Sequence, residues 1–110
     1  MKIERFDEYD AVVQETARYE GKGKNLVYEV MGLAGEVGEL ANKVKKILRG
    51  DSTLEEMRAA LIAELGDVLW YVGAVAFELG ISLGKVAWLN AEKLRDRIRR
   101  GVIKGNGDDR

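Results

Sequence analysis

Two long stretches of this sequence space their apolar residues in alternating steps of four and three. In the first they are Leu26, Val30, Leu33, Val37, Leu40, Val44 and Ile47; in the second, Leu61, Leu65, Val68, Val72, Val75 and Leu79. A helix of 3.6 residues per turn gathers such positions onto one line, so the spacing predicts two long helices, each with a buried seam. Proline is absent from all 110 residues, so helices must stop at glycine and at capping side chains. The stop signals predict four helices. The first runs from Ile3 or Asp7 to Tyr19, the second from Asn25 to Arg49, the third from Ser52 or Thr53 to Leu79, and the fourth from Ser82 to Arg100. Ser52 or Thr53 followed by Glu55 or Glu56 reads as a capping box. Period-two alternation appears nowhere at useful length. Short connections between long helices imply antiparallel neighbours. The expectation is an all-α chain, an antiparallel four-helix bundle over residues 1–100 with a glycine-rich tail over residues 101–110.

Composition then narrows the chemistry. The chain has neither Cys nor His, which removes thiol nucleophiles, Ser-His-Asp triads, and the usual zinc and di-iron ligand sets. What remains is carboxylates, Lys, Arg, Tyr and hydroxyls, together with hard cations bound through oxygen. Lys and Arg number 18 against 19 Asp and Glu, a net charge of −1, so no nucleic-acid partner is expected. The start, Met1-Lys2-Ile3-Glu4-Arg5, lacks the apolar stretch of a signal peptide. The longest apolar run, Val68 to Phe77, is shorter than the ~20 residues of a bilayer span. The expectation is a cytoplasmic protein without a membrane partner.

Two acidic pairs stand out against this background. Glu36 and Glu39 lie on the second helix, and Glu64 and Asp67 on the third. The i, i+3 spacing puts the two carboxylates of each pair on one side of their helix, a turn apart. At ~100° per residue, Glu36 and Glu39 fall roughly 60° and 120° to one side of Leu33, and Glu64 and Asp67 roughly 40° and 100° to the same rotational side of Val68. In an antiparallel pair that sense of rotation can turn the two strips face to face. Four carboxylates in one cleft repel one another and lose water. Magnesium relieves both costs, since it takes oxygen ligands and bridges to phosphate. Gly32, Gly35 and Gly38, at i, i+3 and i+6, each cost about 1 kcal/mol relative to Ala in a helix interior. They imply close helix approach or space for a ligand, and Gly66 beside Asp67 repeats the theme.

These residues carry a resemblance. Gly35-Glu36-Val37-Gly38-Glu39-Leu40, followed by Glu64-Leu65-Gly66-Asp67-Val68-Leu69-Trp70-Tyr71, resembles the MazG family of nucleoside triphosphate pyrophosphohydrolases, in the all-α NTP pyrophosphatase superfamily. The shared pattern is ExxE, a spacer, then ExxD. Asn90 and Lys93 match an Asn-x-x-Lys pattern of the family's last helix, and Arg100 to Asp108 resembles the tail of short, phage-type relatives. The resemblance implies hydrolysis of nucleoside or deoxynucleoside triphosphates to the monophosphate and pyrophosphate. Glu36, Glu39, Glu64 and Asp67 would be both the catalytic set and the ligands of Mg²⁺, with Mn²⁺ the alternative ion. It also points to dimers or tetramers of identical chains. Two other readings stand beside it: a phosphoribosyl-ATP pyrophosphohydrolase, and a non-catalytic helical module for nucleotide sensing or oligomerisation.

Further residues are candidates for the substrate. Lys43 and Lys46 follow Glu39 on the same side of the second helix, within reach of the β- and γ-phosphates. Tyr71 lies one turn after Asp67, where it can meet a nucleotide sugar. Asn90 and Lys93 join them on the family pattern. Gln14, Thr16 and Arg18 are the polar candidates of the first helix. Trp70, Trp88, Val27, Ile62 and Leu69 add to the seams and call for a second buried face, hence a homo-oligomer. The tail, with Lys104 and Arg110, is expected either to be mobile and close over a bound nucleotide or only to pack on a neighbouring subunit or stay loose.

Overall fold

The computed structural model describes residues 2–108, and Arg110 of the tail expectation lies outside them. Among the described residues there are four helices and no strand: α1 (Phe6–Thr16), α2 (Leu26–Leu48), α3 (Leu54–Glu78) and α4 (Leu83–Arg99). The caps explain the boundaries. The Asn25 side chain accepts a hydrogen bond from the Tyr28 amide at the start of α2. Thr53 and Glu56 form a reciprocal capping box at the start of α3, and Ser82 accepts from the Lys85 amide at the start of α4. The first helix stops at Thr16, short of the expected Tyr19. Residues 17–25 are a loop tied instead to the far end of α3. Tyr19 Oη, the Gly23 amide and the Asn25 amide all donate to the Glu78 carboxylate, at 2.7, 2.7 and 2.8 Å.

α2 and α3 form a long antiparallel hairpin, and α2 packs along no other helix. α1 crosses α3 where Gly73 lets the backbone approach Val13. A Cβ at Gly73 would stand 2.9 Å from Val13 Cγ2. α4 packs on both α1 and α3, and its first turn is held by the Asp10 carboxylate, which accepts from the Leu83 amide at 3.1 Å. The small core sits at this junction, in Val13, Ala17, Ala74, Ala76 and Leu83.

The predicted seams are only half used. On α2 the line facing α3 is Glu29, Leu33, Glu36, Leu40, Lys43 and Ile47, all buried or half-buried. Val30, Val37 and Val44, the alternate members of the seam, remain exposed. On α3, Leu65 and Leu79 are exposed as well, and Leu89, Leu94 and Ile98 of α4 are exposed with Trp88. The accessible surface is 8080 Å², against about 6,100 Å² for a compact monomer of this mass. The radius of gyration of 16.6 Å likewise exceeds the ~13 Å of a compact domain. α3 is apolar nearly all round, as expected of a helix with neighbours on every side. By length and composition alone it is long and apolar enough to cross a membrane, with a mean hydropathy of 1.6 over its best window. The unbroken apolar run within it, Val68 to Phe77, is itself shorter than a bilayer span.

Candidate functional site

The hairpin turns the acidic strips toward each other, as the rotation predicts. Carboxylate oxygens of Glu36, Glu64 and Asp67 lie within 4.8 Å of one another. Glu36 and Glu64 are half-buried and Asp67 is exposed at the rim. Burial pushes the Glu36 carboxyl above its ordinary range, and the facing Glu64, with the charges of Asp67 and Glu39, pushes it the same way. Glu64 makes one ion pair, with Lys43 Nζ at 3.1 Å. Its other oxygen, Oε2, is buried with no hydrogen-bond partner among the described residues. Three carboxylates converging around an orphaned oxygen form a donor set that suits a hard divalent cation. The residues present therefore fit Mg²⁺ or Mn²⁺.

Glu39 is not in this cluster. It is exposed one turn further along α2, at the edge of a cleft of about 420 Å³ lined also by Asn42, Lys43, Lys45, Lys46 and Arg49. Lys43 and Lys46 thus lie beside the acids as expected, joined by Lys45 and Arg49, which the pattern of matched residues did not single out. Lys43 belongs to both places, since it lines the cleft and pairs with Glu64.

Tyr71 lies against α2 at Gly32. A side chain on Gly32 would run into the Tyr71 ring, so here the glycine does serve close approach. Gly35, Gly38 and Gly66 have open space where a Cβ would stand, so the close-approach reading fails for those three within one chain. Burial raises the Tyr71 phenol, with Tyr28, Glu29 and Glu36 adding to the effect. Trp70 packs edge-on to Tyr71 and donates to Thr16 Oγ1 at 2.7 Å, which spends that hydroxyl on the α1–α3 contact. Gln14 lines a separate cavity of about 270 Å³ with Asp10 and Phe77 at the α1–α3–α4 junction. Tyr9, missed by the sequence reading, borders the site from α1. Its phenol is raised by burial and by the Asp67 charge.

The fourth helix is elsewhere. Asn90 and Lys93 line a shallow surface with Val86 and Leu89, and α4 makes no contact with α2. The surface they line is separate from the cleft of Glu39, Lys43 and Lys46. Lys93 is also engaged by the tail: Asp108 Oδ1 accepts from Lys93 Nζ at 3.0 Å and from the buried Arg97 at 2.8 Å. Hydrogen bonds from Arg97 and then Lys93 lower the Asp108 carboxyl to about 2. Through residue 108 the tail is thus docked on α4, not lying over the acidic groove.

Comparison with known proteins gives the family. The MazG nucleotide pyrophosphohydrolase domain matches residues 28–101, which include Glu36, Glu39, Glu64 and Asp67. The chain belongs to the MazG family. It is also similar to the Gene 37 protein of Mycobacterium phage L5, at 48% identity, with 94% of this chain and 97% of that protein covered. No solved structure matches the chain significantly. The MazG match begins at Tyr28, so α1 and the loop over residues 17–25 lie outside it.

Proposed function

We propose that this MazG domain hydrolyses nucleoside or deoxynucleoside triphosphates to the monophosphate and pyrophosphate in a magnesium-dependent reaction. The observation that carries the reading is the convergence of Glu36, Glu64 and Asp67 beside a cleft lined by Lys43, Lys45, Lys46 and Arg49. Carboxylates alone would repel a triphosphate, and cations alone would bind one without cleaving it. Magnesium or manganese held by Glu36, Glu64 and Asp67 would supply the positive charge that polarises the α-phosphoryl group. Lys43 and Lys46 bind the β- and γ-phosphates and, with Lys45 and Arg49, neutralise the departing pyrophosphate. Glu39, outside the triad, is the carboxylate left to accept the proton of the attacking water. Water attacks the α-phosphorus, the bond to the α,β-bridging oxygen breaks, and pyrophosphate leaves. Tyr71 borders the nucleoside side of the groove.

The working form in this reading is an oligomer of identical chains. The surface excess of about 2,000 Å² per chain would correspond to about 4,000 Å² in a dimer, in the range of obligate interfaces. The faces available for it are the Val30–Val37–Val44 line and the apolar patch of Phe6, Ile62, Leu65, Val68, Leu69 and Val72. Assembly is also the route by which Asn90 and Lys93 of one chain could meet the acids of another. No nucleic acid or membrane has a part in this reading, and the expected location is the cytoplasm.

The test is pyrophosphate release from a panel of ribo- and deoxynucleoside triphosphates and phosphoribosyl-ATP, with Mg²⁺ and with chelator. Release from triphosphates that depends on the metal supports the reading. Release from phosphoribosyl-ATP alone favours that substrate, and no release from any compound overturns hydrolysis.

A further inference from the structure

The acidic strip of α2 does not begin at Glu36. Glu29 lies seven residues earlier, which returns it to the same face within about 20° and places it about 10.5 Å away along the axis. Its side chain is 0% exposed, and neither carboxyl oxygen has a hydrogen-bond partner among the described residues. Such a group opposes folding, because a buried polar atom without a partner costs about as much as a lost hydrogen bond or more. A leucine would fill the same space without that cost.

The surroundings suit a flat guest with hydrogen-bond donors. Tyr71 lies between Glu29 and Glu36, near enough to respond to both charges. Tyr19 also responds to Glu29 and stacks on Tyr28, with ring centroids 5.2 Å apart. A nucleotide with its α-phosphate at Glu36, Glu64 and Asp67 extends its sugar past Tyr71 and its base toward Glu29. The orphaned atoms are two adjacent oxygens, and an ionised carboxylate only accepts. Guanine alone among the common bases presents two N–H donors side by side, at N1 and at the exocyclic N2. Adenine, cytosine, uracil and thymine each set a donor beside an acceptor.

We propose that Glu29 reads the base of the bound nucleotide and selects guanine through a two-donor contact. This rests on the reading of the acidic groove as a nucleotide site. The 17–25 loop is tied to α3 near Glu29 by three hydrogen bonds that all end on the single carboxylate of Glu78, the same carboxylate whose charge reaches Glu29. Guanine enters when that loop lifts, and its two donors satisfy the oxygens that burial leaves bare. Burial and the nearby charge of Glu78 both raise the proton affinity of Glu29 in the empty chain, and donors to the ionised form oppose that rise.

The experiment measures binding, so it does not depend on turnover. Calorimetry compares dGMP, dAMP, dCMP, dTMP and deoxyinosine monophosphate on the intact protein with Mg²⁺. Deoxyinosine monophosphate is the critical probe, because it differs from dGMP only in lacking the N2 amino group. The expected result is binding of dGMP about tenfold tighter than any of the other four. Glu29→Gln, which trades one acceptor for a donor, and Glu29→Leu should both erase that preference. Glu29→Leu should in addition raise the melting temperature of the nucleotide-free protein. Equal binding of dGMP and deoxyinosine monophosphate by the unmodified protein overturns the proposal, as does a preference that survives in Glu29→Leu. A guanine preference without pyrophosphate release would leave Glu29 in place and sink only the hydrolase reading. Hydrolysis with no guanine preference does the reverse, and no binding by any of the five monophosphates overturns the guanine proposal alone.

Discussion

The two faces of the α2–α3 hairpin invert what a stable monomer would show. The inner face buries carboxylates: Glu29 fully, Glu36 and Glu64 in part. The outer faces leave Val30, Val37, Val44, Ile62 and Leu65 in solvent. Each face alone is unfavourable, the inner through repulsion and lost hydration, the outer through exposed apolar area. In the proposed function each is relieved by one partner, a cation and its phosphate ligand inside, another chain outside. On the proposed function the contrast separates residues for chemistry from residues for assembly, although both kinds interleave on the same two helices.

The comparison breaks most sharply at the inner face. Glu64→Gln or Asp67→Asn should lower turnover by roughly 10³-fold or more while far-ultraviolet circular dichroism stays helical. Activity within tenfold of the unmodified protein would remove that residue from the catalytic set. On the outer face, Leu65→Asp, at a position 58% exposed in the single chain, should weaken self-association about 30-fold or more. Sedimentation at micromolar concentration reads this out, and an unmodified protein that sediments as a monomer would end the assembly reading. A smaller effect sharpens the inner face without assaying turnover. Mg²⁺ at a hundred times its dissociation constant should stabilise the fold by about 2.7 kcal/mol, roughly 10–20 °C in a domain of this size. Glu64→Gln should reduce that shift strongly. The smallest effect concerns the tail, which belongs to neither face. Asp108 is lowered from 3.8 to about 2, chiefly by Arg97, so its contribution to stability is fully present above pH 3.8 and is lost as pH falls through about 2. Order of the tail backbone, read by heteronuclear NOE, should hold from neutral pH downward and fall only in that acid window. Release already at pH 5 would contradict the Arg97 contact.

Much of this was legible beforehand, for reasons local to each helix. Thr53 and Ser82 cap where their hydrogen-bonding chemistry allows. The rotational arithmetic brought Glu36 opposite Glu64 and Asp67 because two antiparallel helices with known faces have few ways to meet. The same arithmetic overreached at Glu39, where the helix has already turned about 60° beyond Glu36 and out of the contact. It was silent on Glu29, which reads as one more acidic residue among apolar neighbours. Lys93 was a substrate candidate on the family pattern alone, and the structure pairs it with Asp108 of the tail. Glu78 looked like the polar end of an apolar run and instead ties down the 17–25 loop.

Helix number, the starts of α2, α3 and α4, the facing of Glu36 toward Glu64 and Asp67, and the family were thus determined by the sequence, since all depend on spacing within a few turns or on motifs. Which half of each seam α3 covers, which acid stays outside the cluster, and which carboxylate is buried without a partner were decided only by the tertiary structure. Those outcomes depend on how far each helix is rotated and shifted against its neighbour. Small changes in that packing move a side chain between core, cleft and solvent while leaving the periodic pattern untouched.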